Sequence, residues 1–243
     1  MKRIIGISLA VLAVGCNGII GNGYTVTGEI KGITDGTNVF LEKQDENTGM
    51  SVPIDTVKIE KGKFVFEGET KEPGIHAVRI DKTPGGFFFI LEKGDITAKI
   101  NKDSIGQAKL GGTYNNEELM KFNSNMKGFQ KRMMDFQKNN IAKMQEAQKS
   151  NDSVVMNQLN KEYGKLQDEM IVANTKYVNE NPKSFLSLLL VPSLFNTPNA
   201  DVVKIKKSFE ALDNDLKATT AGKKIQKQVE EYAKAIESKK KVS

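Results

Sequence analysis

The chain has 243 residues, with 36 Lys+Arg against 30 Asp+Glu, a formal charge of +6, one histidine, one cysteine and no tryptophan. A single cysteine excludes a disulfide framework, a Cys-x-x-Cys redox pair and a thiolate metal cluster, and a single histidine excludes a His-rich metal site. The modest basic excess is mostly lysine interleaved with acids, which does not make a nucleic-acid surface, and the length allows one or two domains behind any leader.

Lys2 and Arg3 open the chain, an apolar run from Ile4 to Val14 follows, and Leu12-Ala13-Val14-Gly15-Cys16 closes the segment. A charged start, a short apolar core and small residues before a cut are the parts of a secretory signal, and the run is too short for the roughly 20 residues of a membrane span. The segment resembles a bacterial lipoprotein signal. That resemblance implies a leader over 1–15, acyl chains on Cys16, a tether over 16–23 and attachment to a membrane through lipid. A signal cut by an ordinary peptidase beside an incidental Cys16 is the alternative. In many Gram-negative lipoproteins an acidic cluster after the cysteine resembles a surface-export signal; Asn17 to Gly23 carries no charge, so the resemblance implies a periplasm-facing position, expected at the outer membrane.

From Tyr24 to Gly112 short β-branched and aromatic runs alternate with Gly, Asp and Asn. Strands are expected near Thr25–Ile30, Val39–Lys43, Val52–Ile59, Lys63–Gly68, Ile75–Asp81, Phe87–Leu91, Ile96–Ile100 and Ala108–Leu110. Asp35-Gly36, Lys61-Gly62, Gly94-Asp95 and Pro84-Gly85-Gly86 supply the turns. About eight short strands in this span predict an antiparallel β-sandwich domain over 24–112. Its net charge is −2, against +6 for residues 113–243.

After Gly112 the period changes. Leu119, Phe122, Met126, Phe129, Met133 and Phe136, continued by Met144, step by threes and fours, as do Val155, Leu159, Tyr163, Leu166, Met170, Ala173 and Tyr177. These seams predict two helices, joined by a turn at Ser150-Asn151-Asp152 and folded back as an antiparallel, coiled-coil-like hairpin. Asn181-Pro182 should stop the second helix. Lys183 to Leu194, the most apolar run after the leader, should form the helix that docks the helical domain (113–243) onto the rest, and Ser187, Pro192 and Ser193 keep that region from spanning a membrane. Further helices are expected over Asp201–Leu216 and from a Thr220 cap to about Ser238, with Lys239-Lys240-Lys241 as a solvated tail. The fold class is therefore α+β.

Tyr24-Thr25-Val26-Thr27-Gly28-Glu29-Ile30, Val39-Phe40-Leu41, Ile54-Asp55-Thr56-Val57, Gly62-Lys63-Phe64-Val65-Phe66-Glu67-Gly68 and Gly94-Asp95-Ile96 are similar to an uncharacterised β domain. That domain precedes the thioredoxin module of many Bacteroidetes-type periplasmic thiol-disulfide oxidoreductases of the ResA and TlpA kind. Gly111-Gly112-Thr113-Tyr114-Asn115-Asn116 and Asn181-Pro182-Lys183-Ser184 resemble the junction and helical segment that follow it. In those proteins the redox chemistry belongs to the thioredoxin domain, and this sequence stops where that domain would begin. Dithiol exchange needs an attacking and a resolving thiol, so no redox role carries over to any residue here.

His76 lies in Ile75-His76-Ala77-Val78-Arg79-Ile80, where alternation places it with Val78 and Ile80, and no nucleophile elbow or HExxH motif accompanies it. Pro84-Gly85-Gly86 lacks the spacing of a phosphate loop, and Glu117-Glu118 and Asp168-Glu169 look like solvated helix faces. No catalytic residue, cofactor site or metal site is expected; Cys16 is the one modified position. The function expected is a lipid-anchored, non-enzymatic binding or scaffolding protein of the cell envelope, with a periplasmic protein partner and no nucleic acid. Alternatives are an accessory that docks a separate thioredoxin-like oxidoreductase, or a periplasmic holdase.

Overall fold

The computed structural model describes residues 23–45, 48–197 and 200–242, with the side chain of residue 237 and those from 239 onward left out. The leader over 1–15, Cys16 and nearly all of the tether therefore lie outside the described residues. The chain forms eight strands followed by helices: β1 Gly23–Lys31, β2 Asn38–Gln44, β3 Ser51–Lys58, β4 Lys63–Glu69, β5 Gly74–Ile80, β6 Gly86–Leu91, β7 Gly94–Asn101 and β8 Lys109–Gly111. Then come α1 Tyr114–Ser150, α2 Ser153–Glu180, α3 Phe185–Leu190, α4 Val202–Glu210, α5 Asn214–Ala218 and α6 Thr220–Val242.

The strands make two four-stranded sheets, ordered β4-β1-β7-β8 and β3-β2-β5-β6. The second is antiparallel throughout, but in the first β1 and β7 run parallel, with Tyr24 beside Gly94 and Lys31 beside Asn101. The expectation of a purely antiparallel domain is corrected there. The chain alternates between sheets, β1 then β2–β3, β4 then β5–β6, and β7 enters beside β1 only after those crossovers. Alternation within each strand cannot reveal such a distant neighbour.

Tyr24, Val26 and Ile30 of β1, Phe64 and Phe66 of β4, and Ile96 and Ala98 of β7 share one core cluster with Val39, Leu41, Val78, Ile80, Phe87 and Phe89 of the other sheet. Two glycines are fitted to this core. A side chain at Gly28 would occupy the place of the Phe64 ring, and one at Gly68 the place of the Tyr24 ring, so each aromatic lies across a glycine on its partner strand. At Lys61-Gly62 both φ angles are positive, 51° and 72°, in the tight turn, closed by a Glu60–Lys63 bridge, that carries the chain from β3 in one sheet to β4 in the other.

Asp152 caps α2 by accepting from the Val154 and Val155 N–H groups, and Asn151 takes the left-handed conformation that closes α1. Phe122 meets Tyr177, Arg132 pairs with Glu169, and Phe136 meets Tyr163, so later residues of α1 face earlier residues of α2. Met144 leaves this seam: it is exposed, and Met126 and Ala147 are the buried apolar residues of α1.

Asn181 ends α2 as expected, but the apolar run after it is not one helix. α3 stops at Leu190 and Val191–Phe195 tightens into a 3-10 helix around Pro192, which has no N–H to continue an α-helix. The span expected as one helix over 201–216 is likewise broken, because Ala211, Leu212 and Asp213 turn the chain and Asp213 caps α5. Thr219, not Thr220, caps α6, its hydroxyl accepting from Gly222 N–H. α6 continues to Val242, so Lys239 to Lys241 are helical and not a frayed tail.

Candidate functional site

β6 explains both the joint between the two halves and the groove beside it. Phe87-Phe88-Phe89-Ile90-Leu91 alternates across the sheet, so Phe87, Phe89 and Leu91 enter the β core while Phe88 and Ile90 face outward. Ile90 belongs to the second core, with Phe185, Leu188, Val191, Leu194, Ile205 and Val229. Covering a side chain of that size is worth about 2 kcal/mol.

The free edge of β6 is sealed at the same residue. Asn116, with no exposed surface, accepts the Ile90 N–H at 3.0 Å and donates to the Ile90 carbonyl at 2.7 Å, so its carboxamide stands in for the backbone of a further strand. A second bond runs from its Nδ2 to Thr113 Oγ1 at 2.9 Å. Asn115 ties the same corner to the helices: its N–H and Nδ2 donate to Glu92, and its Oδ1 accepts Phe185 N–H at 2.7 Å. Glu118 is buried, accepting from Lys121 Nζ at 2.8 Å and from Tyr177 OH at 3.3 Å, while Tyr177 also bonds Ser184 at 3.0 Å. Burial pushes the Tyr177 phenol up to about 12, with the Ser184 hydroxyl pulling the other way. The expectation that Glu118 sits on a solvated face is therefore corrected. Glu169 and Asp168 do face outward, bonded to Arg132 and Thr197.

Beyond Ile90 the outer face of the sheet is uncovered. Phe88 is 71% exposed and Ile75 on β5 is 50% exposed, with Ala77 opposite Phe88. Two hollows meet here, one of about 340 Å3 lined by Glu42, Gln44, Ser51, Ile75, His76 and Phe88, the other of about 440 Å3 toward Pro73, Phe185, Leu189, Pro192, Lys224 and Gln228. Gln44 and Ile75 line both, which makes one groove along the joint. A larger, open hollow of about 980 Å3 lies at the far end of β1, among Lys31, Lys61, Lys99 and Lys102, with Glu29, Asp35 and Asp103 interspersed.

Beside the groove floor lies an ion pair with a buried carboxylate and a half-exposed guanidinium. Glu42 has its carboxylate 2.8 Å from Arg79 Nε and accepts from Ser51 Oγ at 2.9 Å, and the Arg79 guanidinium lies 4.1 Å above the Phe40 ring. The pair is thus satisfied within the sheet, and the groove is apolar along Ile75 and Phe88 with the charged Glu72 and Lys224 toward its helical end. His76 is half-buried, its Nδ1 3.1 Å from the Gly74 carbonyl and its ring 6.3 Å from Phe89. Burial holds the imidazole below its ordinary range, with nearby Lys43 adding to the effect. Pro84-Gly85-Gly86 is the β5–β6 turn, with Gly85 at φ 82°.

Among the described residues no group of three or more His, Cys, Asp or Glu is placed to hold a metal ion, and no helix is long and apolar enough to cross a membrane. Cys16, the expected modified residue, is outside them. The sequence reading missed Ile75, Phe88, the Glu42–Arg79 pair and the Asn115-Asn116 latch. A signal for one was present: three consecutive phenylalanines in a strand must send the middle one to the opposite face.

Residues 24–119 match the family model described as Domain of unknown function (DUF4369). That match runs past Gly112 into α1 and so includes Asn115, Asn116 and Glu118, the residues that seal β6. No curated protein and no solved structure matches the chain.

Proposed function

We propose that this protein is a lipid-anchored, non-enzymatic binding module of the cell envelope, a β-sandwich carrying an antiparallel helical hairpin, whose groove holds an extended apolar segment of a periplasmic protein partner. The observation that carries the reading is the exposed Ile75–Phe88 shelf beside the buried Ile90, on one sheet face that the helices cover only in part. An extended chain suits it because the shelf is a strip along two strands, its hollows each take one or two side chains, and its one ion pair is internally neutralised. The anchor reading rests on the Leu12 to Cys16 segment, and acyl chains there keep the protein at the outer membrane, facing the periplasm.

Two measurements test this. Radiolabelled palmitate should map to Cys16 in cells, and a mature chain that begins elsewhere and stays unlabelled would overturn the anchor. Peptides tiled from envelope proteins should protect the Ile75 and Phe88 region from hydrogen exchange, and F88E should abolish that protection. Binding that F88E leaves intact would refute the groove, and capture of a thioredoxin-like protein through it would give the partner a redox role.

A further inference from the structure

Where α1 passes β8 the two elements enclose a hollow of about 710 Å3, which shares no lining residue with the groove at Ile75 and Phe88. Met120, Asn123, Ser124, Lys127 and Gln130 line its α1 side, at a spacing that sets them on one helix face over about 15 Å. Gln107, at the end of the short 3-10 helix Ile105–Gln107, and Lys109 of β8 line the other side. A helix face turned toward a sheet edge is ordinarily apolar, and this one is apolar only at Met120. The side chains of Gln107, Lys109, Asn123, Ser124, Lys127 and Gln130 converge on the hollow, and none of them makes a hydrogen bond or ion pair with another described residue.

The chemistry of these groups identifies the ligand. No acidic side chain lines the hollow among the described residues, whereas the neighbouring cations of α1 are all answered, Lys121 by Glu118, Lys131 by Asp135 and Arg132 by Glu169. Lys109 also lies directly opposite Lys99 in the β7–β8 ladder, a like-charge pairing that costs stability and that a bound anion would relieve. Glu29, on the other flank of Lys99, is already bonded to Lys63 at 3.0 Å. Two ammonium groups draw a carboxylate or a phosphate, and carboxamides and a hydroxyl, which both donate and accept, suit sugar hydroxyls around it. The volume lies in the range of small-ligand sites, about 300–1,000 Å3. We propose that the hollow between β8 and α1 binds an acidic saccharide, with Lys109 and Lys127 taking its charged group and Gln107, Asn123, Ser124 and Gln130 its hydroxyls. Met120 and Ala108 are the only apolar side chains of the lining, so affinity comes from charge and weakens as salt rises.

The test titrates the full chain, in mild detergent, with tetragalacturonate in a calorimeter, using maltotetraose as the uncharged counterpart and tripolyphosphate as the bare anion. Tetragalacturonate should bind saturably, and maltotetraose should not. K109Q/K127Q should weaken that binding at least about tenfold, whereas K223Q/K227Q, the same charge change on exposed lysines of α6, should leave it as it is. N123A/S124A should weaken tetragalacturonate and leave any binding of tripolyphosphate unchanged, which separates a saccharide site from an anion site. Circular dichroism of every variant should match wild type, since the substituted side chains carry no internal bonds. Absence of saturable binding, equal losses from K223Q/K227Q, maltotetraose bound as well as the acid, or tetragalacturonate binding that N123A/S124A leaves intact would each overturn the proposal.

Discussion

Glu42 and His76 show how much of this surface is decided by single contacts. Glu42 is a buried carboxylate whose one ion-pair partner among the described residues is Arg79, so R79L should leave it with only the Ser51 hydroxyl and cost about 2 kcal/mol, the discount from a fully buried pair reflecting the half-exposed arginine. Urea unfolding reads this directly, and E42Q/R79L should recover part of the loss. His76 is held neutral by burial, so its folded pKa lies below the unfolded value. Protons then bind the unfolded chain more readily, and stability present above about pH 6.5 is lost as pH falls through the unfolded pKa, levelling off below the folded one. The urea midpoint should drop between pH 8 and pH 5, and H76N should shrink that drop; an identical drop in both proteins would assign it to other groups.

At the scale of elements, β6 is an edge strand whose exposed backbone is met by a side chain. N116A should leave the Ile90 N–H and carbonyl buried without partners, costing about 3 kcal/mol and raising the exchange rate of the Ile90 amide. N116D should be no better, since a carboxylate can accept from the Ile90 N–H but cannot donate to its carbonyl. The strands themselves were legible in the sequence nearly residue for residue, because period-two alternation and Gly-rich turns are local signals. The breaks at Pro192 and at Ala211 to Asp213 were less so. Both lie inside apolar periodicity that continues across them, and packing of Val191, Leu194, Leu212 and Leu216 into the second core decides where the chain bends. Met144 was misplaced for a related reason: its spacing continues the stripe that faces α2, yet it stays exposed.

For the whole molecule, the two cores meet at Ile90, and the matched domain reaches to Leu119. A chain cut after Gly112 would lose Asn116 and uncover Ile90 and the β6 edge, so the fragment 24–112 should associate or aggregate while the entire chain stays dispersed; light scattering at equal concentration distinguishes them. A dispersed, folded fragment would show that the latch serves the helices and not the sheet. F88E should leave the free energy of unfolding within about 0.5 kcal/mol of wild type, because that ring is 71% exposed already, and should act on binding alone.

From its residues in order, the chain determined the change from strands to helices at Gly112, the turns at Lys61-Gly62 and Asp152, the stop at Asn181, and the want of paired thiols. These follow from backbone preferences and spacing, which act over a few residues. The parallel meeting of β1 with β7, the burial of Glu118, the Asn116 seal on β6 and the uncovered shelf at Ile75 and Phe88 were decided only by tertiary structure. Each depends on which distant segment arrives to exclude water from one face of an element, and alternation says that a face is apolar without saying what will cover it.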